Sequence, residues 1–190
     1  MFIAISGTHG SGKSSLVKAF LASHPEYFLE PEAYEALEDL HGESFSAEPS
    51  SEDFFTQLEY SAARICAHSD DELVLFERCP LDYIAYMRAL FDLKRESSDF
   101  NLLERSIDLA KSVIGRLDSI AYLPADETEI EIPEDEDLEL RTAMDRNLAA
   151  VLLADDLKIF AGPKPVVLEL NGSVRQRLQA LESECFVDTK

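Results

Sequence analysis

Residues 5–14 read ISGTHGSGKS, and this stretch decides the fold class. It matches the pattern G-x-x-x-x-G-K-[ST], with Gly7, Gly12, Lys13 and Ser14 at the four specified positions. The residues before it, FIAIS, form an apolar run typical of a buried strand, and those after it, SSLVKAFL, have helical periodicity. A strand, a glycine-rich turn and a helix in this order predict a loop whose backbone N–H groups bind phosphate.

The residues of the predicted phosphate loop have expected roles in binding ATP and Mg²⁺. Lys13 is expected to reach the β- and γ-phosphates, and the Ser14 hydroxyl is expected to bind Mg²⁺. Such a loop also needs an acidic partner for the metal at the end of a neighbouring strand, and Glu77 follows the apolar run 73–76. We therefore predict a site for ATP and Mg²⁺, with Ser14 and Glu77 as the metal residues. The residues predicted to bind the nucleotide here are Gly7, Gly10, Ser11, Gly12, Lys13, Ser14 and Ser15.

Five short apolar runs predict the strands of one sheet. They span residues 2–6, 27–30, 73–76, 120–123 and 166–170. Segments with helical periodicity occupy residues 14–22, 54–67, 83–91, 102–117, 141–159 and 174–181. Strands alternating with helices predict an α/β fold, a three-layer α/β/α sandwich with a five-stranded parallel sheet of the P-loop NTPase type. We expect residues 1–190 to form one domain, because this length favours one domain over two.

The composition narrows the class of partner. The chain has 38 acidic against 17 basic residues and a formal net charge of -21, which disfavours nucleic acid because such partners are bound by neutralising phosphates with Lys and Arg. No apolar run approaches the ~20 residues of a membrane helix, and the start has no basic region of a signal peptide. The three cysteines form no CxxC pair. We expect a cytoplasmic protein that acts on a small molecule, without a membrane partner, and leave a homodimer open.

Two polar segments interrupt the pattern of strands and helices. Residues 40–53 are Pro- and Ser-rich and are predicted to form a loop that covers a site. Residues 126–139 are rich in acids and are interpreted first as a solvated surface loop. Arg141 and Arg146 follow directly, where a closing lid at about residues 124–146 would place positive charge over a transferring phosphoryl group. An ion-paired surface is the other interpretation of these arginines.

A carboxylate is expected on the acceptor side of the phosphate loop. Glu30 ends the second predicted strand, at the carboxyl edge where ligands bind to such sheets. Pro31 cannot continue the ladder, so the chain is expected to leave the sheet there and expose Glu30 at the rim. The N-K-x-D motif of a GTPase does not occur. A compact phosphotransferase fits these features, and a regulatory ATPase that changes a surface for a partner protein is the alternative.

The order of these motifs resembles a known group of enzymes. A phosphate loop, an E-P pair after the second strand, an E-R pair after the third and arginines before the fifth resemble the deoxynucleoside kinases and thymidylate kinase-like P-loop kinases. The stretch FERCPLDYIAYMRAL at residues 76–90 is also similar to the kinase-like P-loop ATPases related to the nicotinamide riboside kinase domain. The resemblance runs over nearly the whole chain and implies transfer of the ATP γ-phosphoryl to a hydroxyl of a nucleoside, nucleotide or similar small molecule.

The resemblance implies roles for residues on the acceptor side. Glu30 would accept the proton of a sugar hydroxyl, and Arg78 would hold that hydroxyl or the incoming phosphoryl. Glu77 would organise Mg²⁺ through water. Gln57 matches a helix glutamine that hydrogen-bonds the base, and Asp82 falls one residue away from an acidic position that reads the base in some of these kinases.

The resemblance also implies roles on the donor side. Gly172 and Ser173, in the NGS turn after the last strand, lie where the family packs the adenine, and Arg141 and Arg146 would be lid arginines. One departure from the pattern is Cys79, which follows the E-R pair where nucleoside kinases have a serine. We expect Cys79 to be a small buried residue beside the site rather than a nucleophile.

Overall fold

A computed structural model describes residues 1–41, 49–125, 137–162 and 165–186. The described part of the chain contains five strands and seven α-helices. The strands are β1 (Phe2–Ser6), β2 (Phe28–Glu30), β3 (Val74–Glu77), β4 (Ser119–Tyr122) and β5 (Val166–Glu169). The helices are α1 (Lys13–Ser23), α2 (Ala33–His41), α3 (Ser51–Ala67), α4 (Pro80–Asp92), α5 (Phe100–Val113), α6 (Leu138–Ala154) and α7 (Val174–Cys185).

The five strands form one parallel sheet in the order β2-β3-β1-β4-β5. Ile5 in the central strand is in register with Glu77 of β3 on one side and with Ala121 of β4 on the other. The predicted five-stranded parallel sheet and the α/β/α sandwich are therefore confirmed. The turn after β1 lies between the carboxyl ends of β3 and β4, where ligands bind in sheets of this type.

Alternation along β1 sends its side chains to two apolar layers. Phe2 and Ala4 pack in the larger cluster, which α3, α4, α5 and α6 cover, and Ile3 and Ile5 pack in the smaller cluster with residues of α1 and α7. All four side chains are buried. The first four residues of the central strand are therefore apolar, as expected for a parallel strand that is covered on both faces.

Several predicted boundaries are wrong, and local hydrogen bonds give the reason. Helix α2 was not predicted, and α3 begins within the expected loop because Ser50 and Asp53 form a reciprocal capping box. Helix α6 ends at Ala154 instead of continuing to residue 159, since Asp155 adopts a left-handed conformation (φ 46°). Residues 42–48 and 126–136 of the two predicted loops lie outside the described residues. In the described ranges, no helix has both the length and the apolar character needed to cross a membrane.

Candidate active site

The turn between β1 and α1 is open to a ligand at the start of the helix. Gly12 is the N-cap of α1 with φ 90°, and no side chain caps the first turn, so the leading backbone N–H groups of α1 are available. Gly7 is packed against β4, and a Cβ at this position would lie 2.6 Å from the carbonyl oxygen of Leu123. Only glycine fits there, which explains the first position of the motif.

Four carbonyl groups of this turn each accept a hydrogen bond from a cationic side chain. The pairs are Gly7 O with Arg78 Nη1 at 2.8 Å, Thr8 O with Lys13 Nζ at 3.0 Å, His9 O with Arg141 Nε at 3.0 Å and Ser11 O with Arg177 Nη1 at 2.9 Å. These four cations are each at most 6 % exposed. They come from four different parts of the chain and converge on one backbone turn, which we call the cation cage.

The cation cage is electrostatically suited to an anion. Burial, and after it the positive charge of Arg78, lower the pKa of Lys13 to about 8, although Glu32, Asp82 and Glu77 act in the opposite direction. The nearby carboxylates therefore do not make up for the loss of water around Lys13. The negative charge of a bound polyphosphate would raise the pKa of Lys13 and lower the free energy of the cage.

Ser14 and Glu77 lie together at the start of α1. The Ser14 hydroxyl donates a hydrogen bond to Glu77 Oε1 at 3.0 Å. A hydroxyl and a carboxylate are ligands that suit Mg²⁺, which is held through few protein oxygens together with waters and substrate phosphates. The donor set therefore fits the predicted metal. Within the described residues there is no group of three or more His, Cys, Asp and Glu side chains that could hold a metal by itself.

Asp82 supports the turn. Its side chain is fully buried, and its two oxygens accept hydrogen bonds from the backbone N–H groups of Gly7 and Cys79, each at 3.0 Å. Arg78 Nη1 lies 3.4 Å from the same carboxylate. In the structure Asp82 therefore contacts the backbone of the phosphate loop, and its contact with the substrate stays a prediction. Cys79 is buried as expected, and burial raises the pKa of its thiol.

Buried Arg78 and partly exposed Glu32 form an ion pair beside Lys13. Arg78 Nε donates to the Glu32 carboxylate, and the guanidinium carbon lies 5.3 Å from the centroid of the Tyr86 ring. Burial by itself would raise the pKa of Glu32, but the charges of Arg78 and Lys13 outweigh it and hold the pKa below its ordinary value. Glu32 is therefore an ionised carboxylate at the phosphate loop, in the position where Glu30 was expected.

Glu30 has other partners. Its side chain is 7 % exposed and accepts hydrogen bonds from Arg64 Nε and Nη2 at 2.8 and 3.0 Å, and its Oε2 lies 2.8 Å from His68 Nε2. Burial would raise the pKa of Glu30, but the bonds from Arg64 and His68 lower it overall. The expectation that Glu30 is exposed at the rim is wrong, because the end of α3 covers it. Glu32 was missed, although it follows the strand-ending Pro31 directly.

The two predicted lid arginines diverge. Arg141 contacts the phosphate loop, whereas the Arg146 side chain is 68 % exposed and donates to Asp92 of α4 at 2.7 Å. Five residues of α-helix rotate a side chain by about 140°, so the two arginines cannot both face the loop. For Arg146 the ion-paired surface was the better interpretation. From Leu138 onward, the predicted lid region forms the first turns of helix α6.

The remaining predicted residues lie in defined local structures. Gln57 is buried on α3, one turn before Ser61. Gly172 has φ 85°, and Ser173 is the N-cap of α7 in a capping box with Gln176. The adenine role of this turn stays a prediction. Arg177 was missed because nothing local in the sequence predicts that its side chain reaches Ser11.

A cation cage at the carboxyl edge of a parallel sheet, with a hydroxyl and a carboxylate at the start of α1, is the arrangement of a P-loop domain. The AAA domain family matches residues 2–177, and the chain belongs to this family. No curated protein matches the chain in sequence. The fold is nevertheless shared with solved kinases of the suspected kind, so the resemblance in fold is confirmed.

Three solved structures illustrate the shared fold. Deoxyadenosine kinase from M. mycoides with bound dATP has a TM-score of 0.63 and 16% identity, over 98% of this chain and 100% of that chain. Thymidylate kinase from Candida albicans has a TM-score of 0.68 and 17% identity, over 98% and 91%. NadR protein in complex with NAD and AMP-PNP has a TM-score of 0.68 and 15% identity, over 100% of this chain and 50% of that chain.

Proposed function

We propose that the protein is an ATP-dependent phosphotransferase that moves the γ-phosphoryl to a hydroxyl of a small, nucleoside-like molecule. The observation that carries this proposal is the cation cage, in which four buried cations from four parts of the chain meet at one glycine-rich turn. The lowered pKa of Lys13 supports it, because it indicates positive charge that the local carboxylates leave uncompensated.

Enzymes catalyse phosphoryl transfer mainly by positioning the reactants and neutralising their charge. In the proposed mechanism, Lys13 and Arg141 bind the phosphates, and Arg78 faces the phosphoryl group in transfer. Ser14 and Glu77 would hold Mg²⁺, which supplies further charge neutralisation when bound. These assignments concentrate positive charge where negative charge is spread over the oxygens of the transferring group.

Glu32 is proposed as the group that accepts the proton of the acceptor hydroxyl. Its carboxylate is held ionised by Arg78 and Lys13, so its oxygens can accept the hydrogen bond of the acceptor hydroxyl. It follows β2, which pairs with β3, and it contacts Arg78 directly after β3. Glu30, whose carboxylate is bound by Arg64 and His68, is proposed as a structural residue at the end of β2.

Charge on the acceptor side favours a hydroxyl compound without a phosphate of its own. The sequence has no Lys or Arg between residues 19 and 63, the stretch that includes β2, α2 and most of α3. The next two arginines in this region, Arg64 and Arg78, are each paired with a glutamate. A nucleotide acceptor would bring negative charge to carboxylates without a free cation, so a nucleoside is the better candidate. Gln57 is available there to hydrogen-bond a base.

A transfer assay tests this proposal. The protein is incubated with ATP labelled in the γ-phosphoryl and with a pool of nucleosides, nucleotides and vitamin-like ribosides, and the label is followed by chromatography. The proposal predicts a labelled acceptor in the nucleoside or riboside arms, and no label transfer by Lys13→Ala. Release of the label only as inorganic phosphate, in every mixture, would instead indicate a regulatory ATPase.

A further inference from the structure

Arg177 of α7 lies behind the phosphate loop and has an unusual set of contacts. Its side chain is 4 % exposed, and Nη1 donates to the carbonyl of Ser11 at 2.9 Å. Nε is buried without a hydrogen-bond partner, and no carboxylate among the described residues forms an ion pair with this guanidinium. A buried, unpaired positive charge costs free energy. The empty protein therefore keeps Arg177 in this position at a cost.

The contact with Ser11 controls the direction of a peptide group. In a trans peptide the carbonyl of one residue and the N–H of the next point in opposite directions. When Arg177 holds the Ser11 carbonyl on the α7 side, the N–H of Gly12 is directed to the opposite side of the loop. Gly12 has φ 90°, and glycine populates such backbone conformations with little steric preference. An external contact is therefore needed to select one orientation of this peptide group.

Helix α7 is also attached to α1 by contacts that do not involve Arg177. Leu181 is fully buried, and His24 Nε2 lies 3.0 Å from Glu182 Oε1. The rings of His24 and Phe186 stack with centroids 4.6 Å apart. Because α1 begins at Lys13, these contacts fix α7 relative to the helix that carries the phosphate-binding lysine. The helix should therefore stay in place when the guanidinium of Arg177 is removed.

We propose that Arg177 is a positioning residue for the nucleotide, which turns the Ser11–Gly12 peptide group so that the Gly12 N–H faces the phosphates and adds positive charge behind them. The affinity for phosphates thereby depends on the docking of the last helix, although α7 lies more than 150 residues after the loop in sequence. This inference rests on nucleotide binding at the phosphate loop, as the proposed function does, but not on the identity of the acceptor.

The test is a comparison of binding constants for Mg-ADP and for tripolyphosphate, measured by isothermal titration calorimetry on the full chain. Arg177→Met removes the N–H donors and keeps the apolar stem, and Arg177→Lys restores a charged donor. Arg175→Met is the matched control, because Arg175 is exposed on the same helix. Circular dichroism melting curves verify that each variant is folded at the temperature of the titration. If Arg177→Met does not fold, Arg177→Leu takes its place with the same expected results.

We expect Arg177→Met to weaken both ligands by about tenfold or more, the loss that corresponds to one charge-assisted hydrogen bond. Arg177→Lys should recover most of the loss, and Arg175→Met should bind like the wild-type protein. A purely structural role would not produce recovery by lysine at unchanged melting temperature. Wild-type affinity of folded Arg177→Met for both ligands would overturn the inference. Failure of the wild-type protein to bind Mg-ADP would instead overturn the proposed function.

Discussion

Asp82 accepts a hydrogen bond from the backbone N–H of Gly7 at 3.0 Å, across 75 residues of sequence. The same carboxylate accepts from the N–H of Cys79, which is the N-cap of α4. One buried side chain therefore fixes the first glycine of the phosphate loop to the start of the helix that follows β3. This support gives the aspartate of the E-R-C-P-L-D stretch a structural role.

Replacement of Asp82 by asparagine should destabilise the protein. One carboxylate oxygen is exchanged for an NH₂ group, which cannot accept a hydrogen bond from the buried N–H of Cys79 or Gly7. We expect the free energy of unfolding to fall by about 1–3 kcal/mol, measured by urea denaturation. Asp108→Asn, on the exposed face of α5, is the control and should have little effect. Equal stability of the two variants would contradict this account of Asp82.

Lys13→Met should make the empty protein more stable near neutral pH and abolish its stabilisation by nucleotide. Because burial lowers the pKa of Lys13 from 10.5 to about 8, the folded protein binds fewer protons than the unfolded chain between these values. Stability of the wild-type protein therefore gains an increment as pH rises from about 8 to 10.5, on the order of 1–3 kcal/mol. Urea denaturation at several pH values should show this increment lost in Lys13→Met and kept in Lys18→Met, a control on the exposed side of α1.

Glu32→Gln should stop phosphoryl transfer while leaving nucleotide binding nearly intact. The amide keeps the shape of the side chain but cannot take the proton of the acceptor, so we expect the turnover number to fall by about 10²-fold or more. Steady-state kinetics and calorimetric titration with Mg-ADP measure the two effects separately. Undiminished turnover in this variant would remove Glu32 as the proton acceptor.

Glu30→Gln provides the contrast to that variant. Its expected effect is a loss of stability, because the ion pairs with Arg64 and His68 lose their charged partner. Thermal unfolding should show a lower melting temperature, and transfer activity measured well below that temperature should persist. If Glu30→Gln folds normally and fails to transfer phosphoryl, Glu30 has the catalytic role that its place before Pro31 first suggested.

The two arginines of α6 should respond differently to substitution. Arg141→Ala is expected to lower the turnover number by about 10²-fold, because it removes a cation that contacts the phosphate loop. Arg146→Ala removes an exposed ion pair with Asp92 and should change the turnover number little. The turnover numbers of the two variants are compared in parallel kinetic assays. An equal fall of the turnover number in both would mean that Arg146 also reaches the transferring phosphoryl.

The fold and the ATP-binding part of the site could be predicted because the sequence patterns that indicate them are local. The phosphate loop is encoded by contiguous residues, and the buried strands are short apolar runs. The pairing of Ser14 with Glu77 follows from the rule that the ends of neighbouring parallel strands meet at one edge of the sheet. These inferences need the order of strands and helices but no knowledge of side-chain packing.

The part of the site that is proposed to bind the phosphoryl acceptor was harder to predict, because it depends on contacts between elements that are distant in sequence. The proposal of Glu32 in place of Glu30 depends on the pairing of Glu30 with Arg64 of α3 and of Glu32 with Arg78, which the sequence does not show. The contact of Arg177 with Ser11 likewise depends on how α7 lies against α1. The divergence of Arg141 from Arg146 was predictable in principle, since helical geometry places them on different faces.

The fate of the γ-phosphoryl group tests the central claim most directly. Mass spectrometry of a reaction that contains ATP, Mg²⁺ and one nucleoside at a time would show where the group goes, with the matching 5′-monophosphate as the charged control and Lys13→Met as the inactive one. We predict a phosphorylated nucleoside formed in step with ADP, and little product from the monophosphate. Stoichiometric release of inorganic phosphate with every nucleoside and riboside would contradict the claim that this protein is a kinase.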